Sequence, residues 1–250
     1  MPAEKVSQER SDAVAKMYAG QRSILIIYVA APGRGKSFSM ENLDPSDTHL
    51  INVVGKPLPF LSGHEYKEDE NMTISDNSSE IVRAMVEADD DPNVRHICVD
   101  DAQYVMAMEF MDKAMQKGYD KFTIMARNFW DIIVKSVNLS EGMKVFLLCH
   151  EEQSGDYRRM KTLGKLLEEK MTPEGMSAIV LYGEVEVMDG GKRRYYCSTQ
   201  TDGYTNAKSP HQMFPLEIPN DLDIISKRID EFYSGVSLAD SELDFSIESV

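Results

Sequence analysis

The stretch "SILIIYVAAPGRGKS", residues 23–37, decides the fold, because an apolar run passes directly into a glycine-rich loop. From its second residue to Ala30 the run is apolar throughout, which is typical of a parallel strand buried on both faces. The loop then supplies small residues, a lysine and a hydroxyl: Gly33, Gly35, Lys36 and Ser37. A buried strand followed by this set predicts a phosphate-binding loop.

The loop departs from the usual pattern G-x-x-x-x-G-K-S/T at its start and in its interior. Ala30 stands where the first glycine is expected, at the end of the strand, where a methyl group fits a gentle turn. Pro32 fixes its own φ and is tolerated where no amide donor is needed. We therefore expect the loop to keep the groups that hold a nucleotide. The predicted nucleotide-binding residues are Pro32, Gly33, Arg34, Gly35, Lys36, Ser37 and Phe38.

A second apolar run, "HICVDD" at residues 96–101, ends in two carboxylates. A site for ATP and Mg²⁺ needs one such acid beside the loop hydroxyl. The pattern predicts that Asp100 and Ser37 hold Mg²⁺. Asp101 stands where many such ATPases carry the glutamate that activates water, so we interpret it as the general base or water-orienting group, with Glu109 and Glu151 as alternatives.

His150 ends a third apolar run, "VFLLCH". Ligands of open α/β sheets bind at the carboxyl ends of the strands, so a polar residue there can sense a terminal phosphate or orient water. We therefore assign His150, together with Lys36 and Asp101, to the catalytic set.

Strands alternating with helices, followed by a hairpin around Asp189-Gly190-Gly191, predict an α/β fold. The fold expected is a RecA-like P-loop NTPase core, with a mainly parallel sheet flanked by helices and a C-terminal β-hairpin. Helices are predicted directly after the loop and over residues 102–117 and 121–138. The division of the chain is an N-terminal arm over 1–22, an ATPase domain over 23–234 and a mobile acidic tail over 235–250.

The composition limits the possible partners and compartments. The 250 residues carry a net charge of −15, which argues against a protein that coats DNA over its whole surface. No run reaches the roughly 18 apolar residues of a membrane helix, so we expect no membrane contact and a cytoplasmic location. Cys98, Cys149 and Cys197 fit neither a zinc site nor a disulfide framework and are interpreted as buried reduced thiols.

Basic residues in the C-terminal half are candidates for stabilising the transition state or binding DNA. They fall after the His150 strand, in the hairpin and near residue 208: Arg158, Arg159, Lys161, Lys192, Arg193, Arg194 and Lys208. Each alone is typical of a solvated surface. As a group they predict that at least one faces phosphate or DNA.

Several blocks in this order resemble a known family. They include "IIYVAAPGRGKS", "HICVDDAQYVMAMEFM", "VFLLCHEE" and "NAKSPHQMFPLEIPNDL". The chain resembles phage-encoded RecA-like P-loop ATPases of single-strand annealing and recombination modules, over residues 22–234. The resemblance implies ATP and Mg²⁺ as cofactors and the host cytoplasm as location. It also implies single-stranded DNA, or a single-strand-binding or annealing protein, as partner.

The same resemblance implies a homo-oligomer with nucleotide near the subunit interface. Lys208 falls in the region where RecA-like proteins reach a neighbour's phosphate, so it joins the predicted nucleotide-binding residues. Such enzymes keep a catalytic glutamate after the strand that matches "HLINVV", residues 49–54, and this chain has none there. Without that glutamate, Asp101 is the residue that would take its place as the catalytic carboxylate.

Two other functions stay open. A nucleotide kinase-like phosphotransferase also uses a phosphate loop, and "DYRRMK", residues 156–161, could form its arginine-bearing lid. A nucleotide-dependent switch with negligible hydrolysis is supported by Asp101 in place of glutamate and by the altered loop.

Overall fold

The computed structural model describes residues 23–118, 120–163, 166–167 and 171–249. The predicted arm over 1–22 lies outside the described residues. The strands are β1 (Ile24–Ala30), β2 (Thr48–Asn52), β3 (Met72–Ile74), β4 (His96–Asp100), β5 (Lys144–Ser154), β6 (Tyr157–Met160), β7 (Ile179–Val187), β8 (Arg193–Ser198) and β9 (Glu217–Pro219). The α-helices are α1 (Ser78–Asp90), α2 (Tyr104–Asp112), α3 (Asp120–Ser136) and α4 (Leu222–Tyr233).

The nine strands follow the order β3-β2-β4-β5-β1-β7-β8-β9, and β6 pairs with the far end of β5. Neighbours from β3 to β7 run parallel, whereas β8 and β9 are antiparallel additions at one edge. This arrangement confirms the predicted fold class, an α/β, P-loop NTPase-like fold with a mainly parallel sheet, flanking helices and a C-terminal hairpin. Strand β5 lies between β1 and β4, so the loop after β1 must cross β5 beside His150 to meet the acids at the end of β4.

The central strand β1 is buried on both faces because helices cover both sides of the sheet. Its residues Leu25, Ile27 and Val29 belong to a core shared with α1 and α3. The alternate residues Ile26, Tyr28 and Ala30 belong to a second core shared with α4. The continuous apolar run that predicted this strand therefore reflects two cores, one on each side.

The β7–β8 hairpin turns where the sequence predicts. Gly190 and Gly191 have φ of 83° and 82°, values that favour glycine over any residue with a side chain. Register pairs Val187 with Arg193 on the two sides of this turn.

The predicted helix directly after the loop is wrong. Only a single 3₁₀ turn, Ser37–Met40, forms there. Pro45 disfavours helical backbone in the residue before it, and the chain must already enter β2 at Thr48. The loop is therefore not followed by a helix long enough to contribute a macrodipole.

The helices predicted over 102–117 and 121–138 are present as α2 and α3, with α2 ending earlier, at Asp112. The three cysteines are buried and free, as predicted. Within the described residues no helix is long and apolar enough to cross a membrane.

In the segment predicted as a tail, Phe245 packs against the core beside α4, and Ser249 bridges to Arg194. The proposed division of the chain stays a prediction.

Candidate nucleotide site

The loop after β1 is shaped by its two glycines. Gly33 and Gly35 have φ of 81° and 78°, in the left-handed region. A Cβ at Gly35 would lie 2.5 Å from Nδ2 of Asn220, whereas a Cβ at Gly33 would meet no atom within 4 Å. Gly35 is thus required both by backbone conformation and by the close approach of a neighbouring side chain.

Asn220, which lies between β9 and α4, fixes the loop to the sheet. Its Nδ2 donates to the carbonyl of Gly35 at 2.9 Å, and its Oδ1 accepts from the hydroxyl of Tyr28 at 2.7 Å. Tyr28 is buried in β1, and burial holds the pKa of its hydroxyl well above the usual range. Neither residue is among the predicted site residues, because the sequence signals only a strand at Tyr28 and a helix start near Asn220.

Ser37, Lys36 and Asp100 come together at the carboxyl ends of β1 and β4. The Ser37 hydroxyl lies 2.9 and 2.8 Å from the two carboxylate oxygens of Asp100. Lys36 Nζ lies 3.1 Å from Asp100 Oδ1 and also bonds Asp101 Oδ1. Asp100 is completely buried. Its charge is therefore balanced within the site rather than by solvent.

Asp101 gathers three nitrogen groups around one carboxylate. It contacts Lys36 and Lys56, and His150 Nε2 lies 3.1 Å from its Oδ1. Although burial opposes ionisation, the neighbouring His150 and the lysine charges hold the pKa of Asp101 well below its usual range. The φ of Asp101 is 60°, which is unusual for a residue with a side chain and indicates a strained backbone at this position.

This geometry makes Asp101 a weak base and an effective organiser of its neighbours. The predicted role of Asp101 in activating water stays a prediction. Glu151 and Glu109, the alternatives, are engaged elsewhere: Glu151 lies between Arg34 and Arg158, and Glu109 bonds Lys113.

His150 stands beside the loop, since it pairs in register with Ala30. Its amide donates to Oε1 of Gln103 at 3.0 Å, and its ring packs edge-on against Tyr104 at 5.6 Å between centroids. Its Nε2 faces the Asp101 carboxylate and can donate a hydrogen bond to it, so this contact orients the ring. The His150–Asp101 pair thus has the composition of an oriented imidazole base.

Lys56 is a site residue that sequence reasoning missed. Its Nζ contacts Asp101 Oδ2 and lies 3.5 Å from Asp100 Oδ2. Although partial burial lowers the pKa of Lys56, the two carboxylates outweigh that effect and raise it. Its position is the signal that the sequence offers: Lys56 follows β2, where RecA-type enzymes keep a catalytic glutamate and this chain has none.

Arg34 and Arg158 share one pair of acids at the mouth of the site. Arg34 lies 2.9 Å from Glu184 and 3.6 Å from Glu151, and Arg158 lies 2.5 and 3.4 Å from the same two residues. These four side chains join the loop to β5, β6 and β7. The Arg34 side chain therefore faces acids, and its backbone amide donates to the carbonyl of Ala31 at 3.3 Å. Its predicted nucleotide contact stays a prediction.

The other basic candidates divide into paired and unpaired side chains. Arg159 pairs with Glu152, and Arg194 pairs with Glu186 and Glu217. Side chains without an ion pair to any described residue are Lys161, Lys192, Arg193 and Lys208. Lys208 joins β7 by backbone hydrogen bonds with Val180, and it makes no contact with the loop among the described residues. Its predicted role with a neighbour's phosphate stays a prediction.

The donor set fits Mg²⁺. The Ser37 hydroxyl and the Asp100 carboxylate are hard oxygen donors held side by side. Mg²⁺ takes one or two such ligands from a protein when a bound substrate supplies phosphate oxygens. In the described part of the chain no group of three or more His, Cys, Asp or Glu residues could hold a metal by itself. A metal at this site would therefore depend on phosphate oxygens as well.

Two further surfaces border the loop. Phe38, directly after Ser37, is 45% exposed. A cavity of about 390 Å³ lies between Pro32, His150 and α2.

No protein-family model and no curated protein sequence matches this chain. The fold is similar to the X-ray structure of the Legionella pneumophila ATPase DotB, with 10% sequence identity and a TM-score of 0.33. The alignment covers 75% of this chain and 48% of that one, so the chain spans about half the length of that protein. So remote a likeness carries no functional argument, and the assignment of this site depends on the chain's own residues.

Proposed function

We propose that the protein binds ATP with Mg²⁺ at the loop after β1 and hydrolyses it slowly. The observation that carries the proposal is the contact of the Ser37 hydroxyl with both oxygens of Asp100, with Lys36 beside them. Hydroxyl, carboxylate and lysine in this arrangement are the groups that a nucleoside triphosphate and its metal require.

Each residue of the site has a role in this proposal. Backbone amides of the loop bind phosphate oxygens, and Lys36 supplies a point charge to the outer phosphates. When bound, Mg²⁺ supplies charge neutralisation at those phosphates. His150 accepts a proton from, or orients, the attacking water, and Asp101 holds the imidazole in position.

Slow hydrolysis is expected because the site lacks a free carboxylate to activate water. Asp101 is a weak base shared among three neighbours, and the catalytic glutamate of RecA-type enzymes has no counterpart after β2. These features also favour the second candidate, a nucleotide-dependent switch. Binding of ATP without turnover at any protein concentration would select the switch.

A kinase-like phosphotransferase finds less support. The segment suggested as its mobile lid is strand β6, paired antiparallel with β5. Arg158 is engaged with Glu184 and Glu151, and Arg159 with Glu152. A transferring lid needs arginines that are free to move onto phosphate.

We propose further that the ATPase acts in phage DNA recombination or replication as a homo-oligomer, next to single-stranded DNA or its binding or annealing proteins. The sequence resemblance supports this role. Lys161, Lys192, Arg193 and Lys208, which have no ion pair with a described residue, are the candidates for contacts with DNA or a neighbour's phosphate. An overall charge of −15 requires that such contacts be local.

One experiment tests turnover, DNA coupling and subunit dependence together. ATP hydrolysis is measured with and without single-stranded DNA over a range of protein concentrations. The proposal predicts stimulation by DNA and specific activity that rises with protein concentration. Turnover that DNA leaves unchanged would remove the DNA-linked part, and constant specific activity would remove the requirement for a neighbour.

A further inference from the structure

Lys56 lies on the same carboxylate as the loop lysine. Lys36 contacts Oδ1 of Asp101, and Lys56 contacts Oδ2. Two ammonium groups on one carboxylate are close neighbours, so a phosphate that reaches one of them lies near the other. Since Lys36 belongs to the loop that holds the outer phosphates, Lys56 stands at the terminal-phosphate end of the site.

The turn after β2 is built to aim Lys56 there. Asn52, the last residue of β2, pairs in register with Asp100 of β4, so both strands end at the same edge. Asn52 Nδ2 donates to the carbonyl of Lys56 at 2.8 Å, and Asn52 Oδ1 accepts from the amide of Gly55 at 3.0 Å. Gly55 has φ of 68°, which the turn requires. One buried amide side chain thus fixes the backbone from which Lys56 projects.

The Lys56 side chain is less confined than its partners. It is 37% exposed, whereas the side chains of Lys36 and Asp101 are 6% and 4% exposed. Its ammonium group contacts only Asp100 and Asp101 within the described residues. A short rotation of a flexible four-carbon chain can therefore move the charge from the carboxylates to a phosphate, while the Asn52 turn stays in place.

We propose that Lys56 is a cation supplied in cis to the terminal phosphate of a bound nucleoside triphosphate. A diphosphate lacks that phosphate, so Lys56 makes the site selective for the triphosphate. This inference rests on the proposed function and deepens it, because it names the residue that distinguishes the two nucleotides. Lys56 also gives the site a positive charge after β2, where RecA-type enzymes keep a catalytic glutamate.

The test is equilibrium binding of ADP and of a non-hydrolysable ATP analogue, both with Mg²⁺, to the wild type and to Lys56→Ala. We expect Lys56→Ala to weaken analogue binding by about tenfold or more, the value of one charge-assisted hydrogen bond, and ADP binding by less than about threefold. Lys56→Arg keeps a positive charge and should retain part of the preference. Lys67→Ala, on the same connection but with Glu70 as its ion-pair partner among the described residues, is the matched control and should change neither affinity.

A different result would overturn the inference. If Lys56 only balances the two aspartates, Lys56→Ala will change both affinities by the same factor, in either direction. Should Lys56→Ala fail to fold, Lys56→Gln replaces it and the same ratio of affinities decides. A wild type that binds neither nucleotide contradicts the proposed function itself, whereas equal changes in both affinities contradict only the role of Lys56.

Discussion

Ser37 Oγ lies 2.9 and 2.8 Å from the two carboxylate oxygens of Asp100, although 63 positions separate these residues in the chain. Strand β5 lies between their strands, so the loop crosses β5 beside His150 to make this contact. The hydroxyl, together with the ammonium group of Lys36, explains why a buried acid is tolerated at Asp100.

Replacing Asp100 with asparagine should separate metal use from nucleotide binding. The amide keeps the shape of the side chain but loses the charge that attracts Mg²⁺, so Mg²⁺-dependent turnover should fall by about 100-fold or more. Steady-state hydrolysis at several Mg²⁺ concentrations measures the change. Asp112→Asn, an exposed acid at the end of α2, is the control and should leave turnover as in the wild type. Unchanged activity in Asp100→Asn would remove the metal role.

The two loop glycines should differ in their response to a methyl group. Gly35→Ala combines a left-handed φ with a Cβ placed 2.5 Å from Asn220, so we expect loss of nucleotide binding and clear destabilisation. Gly33→Ala has open space and should cost only the conformational strain, about 1–2 kcal/mol. Thermal unfolding and nucleotide titration of both variants measure these effects. Equal behaviour would contradict the close approach of Asn220.

Asn220 should contribute to stability and to the shape of the loop. Asn220→Ala removes the acceptor of the buried Tyr28 hydroxyl and the donor to Gly35, at a cost of about 2–4 kcal/mol in the free energy of unfolding. Tyr28→Phe removes only one of the two bonds and should cost about 1 kcal/mol. Urea denaturation gives both values. A loss in Asn220→Ala no larger than that in Tyr28→Phe would show that the bond to the loop adds nothing.

Stability should fall as the solution becomes mildly acidic, because of His96. Burial lowers the pKa of His96, and although Asp47 opposes this shift, Lys144 and Arg95 add to it. The unfolded state then takes up a proton below about pH 6.5 that the folded state does not, so stability is lost as pH falls through that value. Burial lowers the pKa of His49 as well, which adds to the slope.

Unfolding free energies between pH 7.5 and 5 test this expectation. The slope should be positive and lie below about 1.4 kcal/mol per pH unit for each imidazole, the limit for a proton that only the unfolded state binds. His96→Gln should be less stable at neutral pH, because it disturbs the bond to Ser226, and should have a shallower slope. His64→Gln, which changes an exposed imidazole, is the control. A slope that His96→Gln leaves unaltered would exclude His96 as its source.

Local patterns predicted those parts of the fold and site that depend on neighbours in sequence. The apolar run before Gly33 is a central strand. Asp100 and Asp101 at the end of β4 lie near His150 within β5, because the parallel register places Asp100 opposite Leu148 and His150 opposite Ala30. The helix expected after Ser37 failed for a local reason too, since Pro45 and the early start of β2 leave no room for it.

Long-range contacts account for what was missed. Asn220 reaches Gly35 across 185 positions, and no pattern near either residue indicates the other. Lys56 reaches Asp101 from a turn shaped by Asn52, and the expected residue type after β2 is acidic, so a lysine there gives no sign of a site. In both cases the chemistry depends on which loops the sheet order brings together.

The central claim is that Lys36, Ser37 and Asp100 form one Mg²⁺-nucleotide site. Calorimetric titration of ATP with Mg²⁺ into the wild type and Lys36→Ala tests it most directly, with circular dichroism to verify that both are folded. We predict saturable binding to the wild type and a loss of about 100-fold or more in Lys36→Ala, since that change removes the phosphate-binding charge. Equal affinity in the two folded proteins, or no binding to the wild type, would contradict the claim.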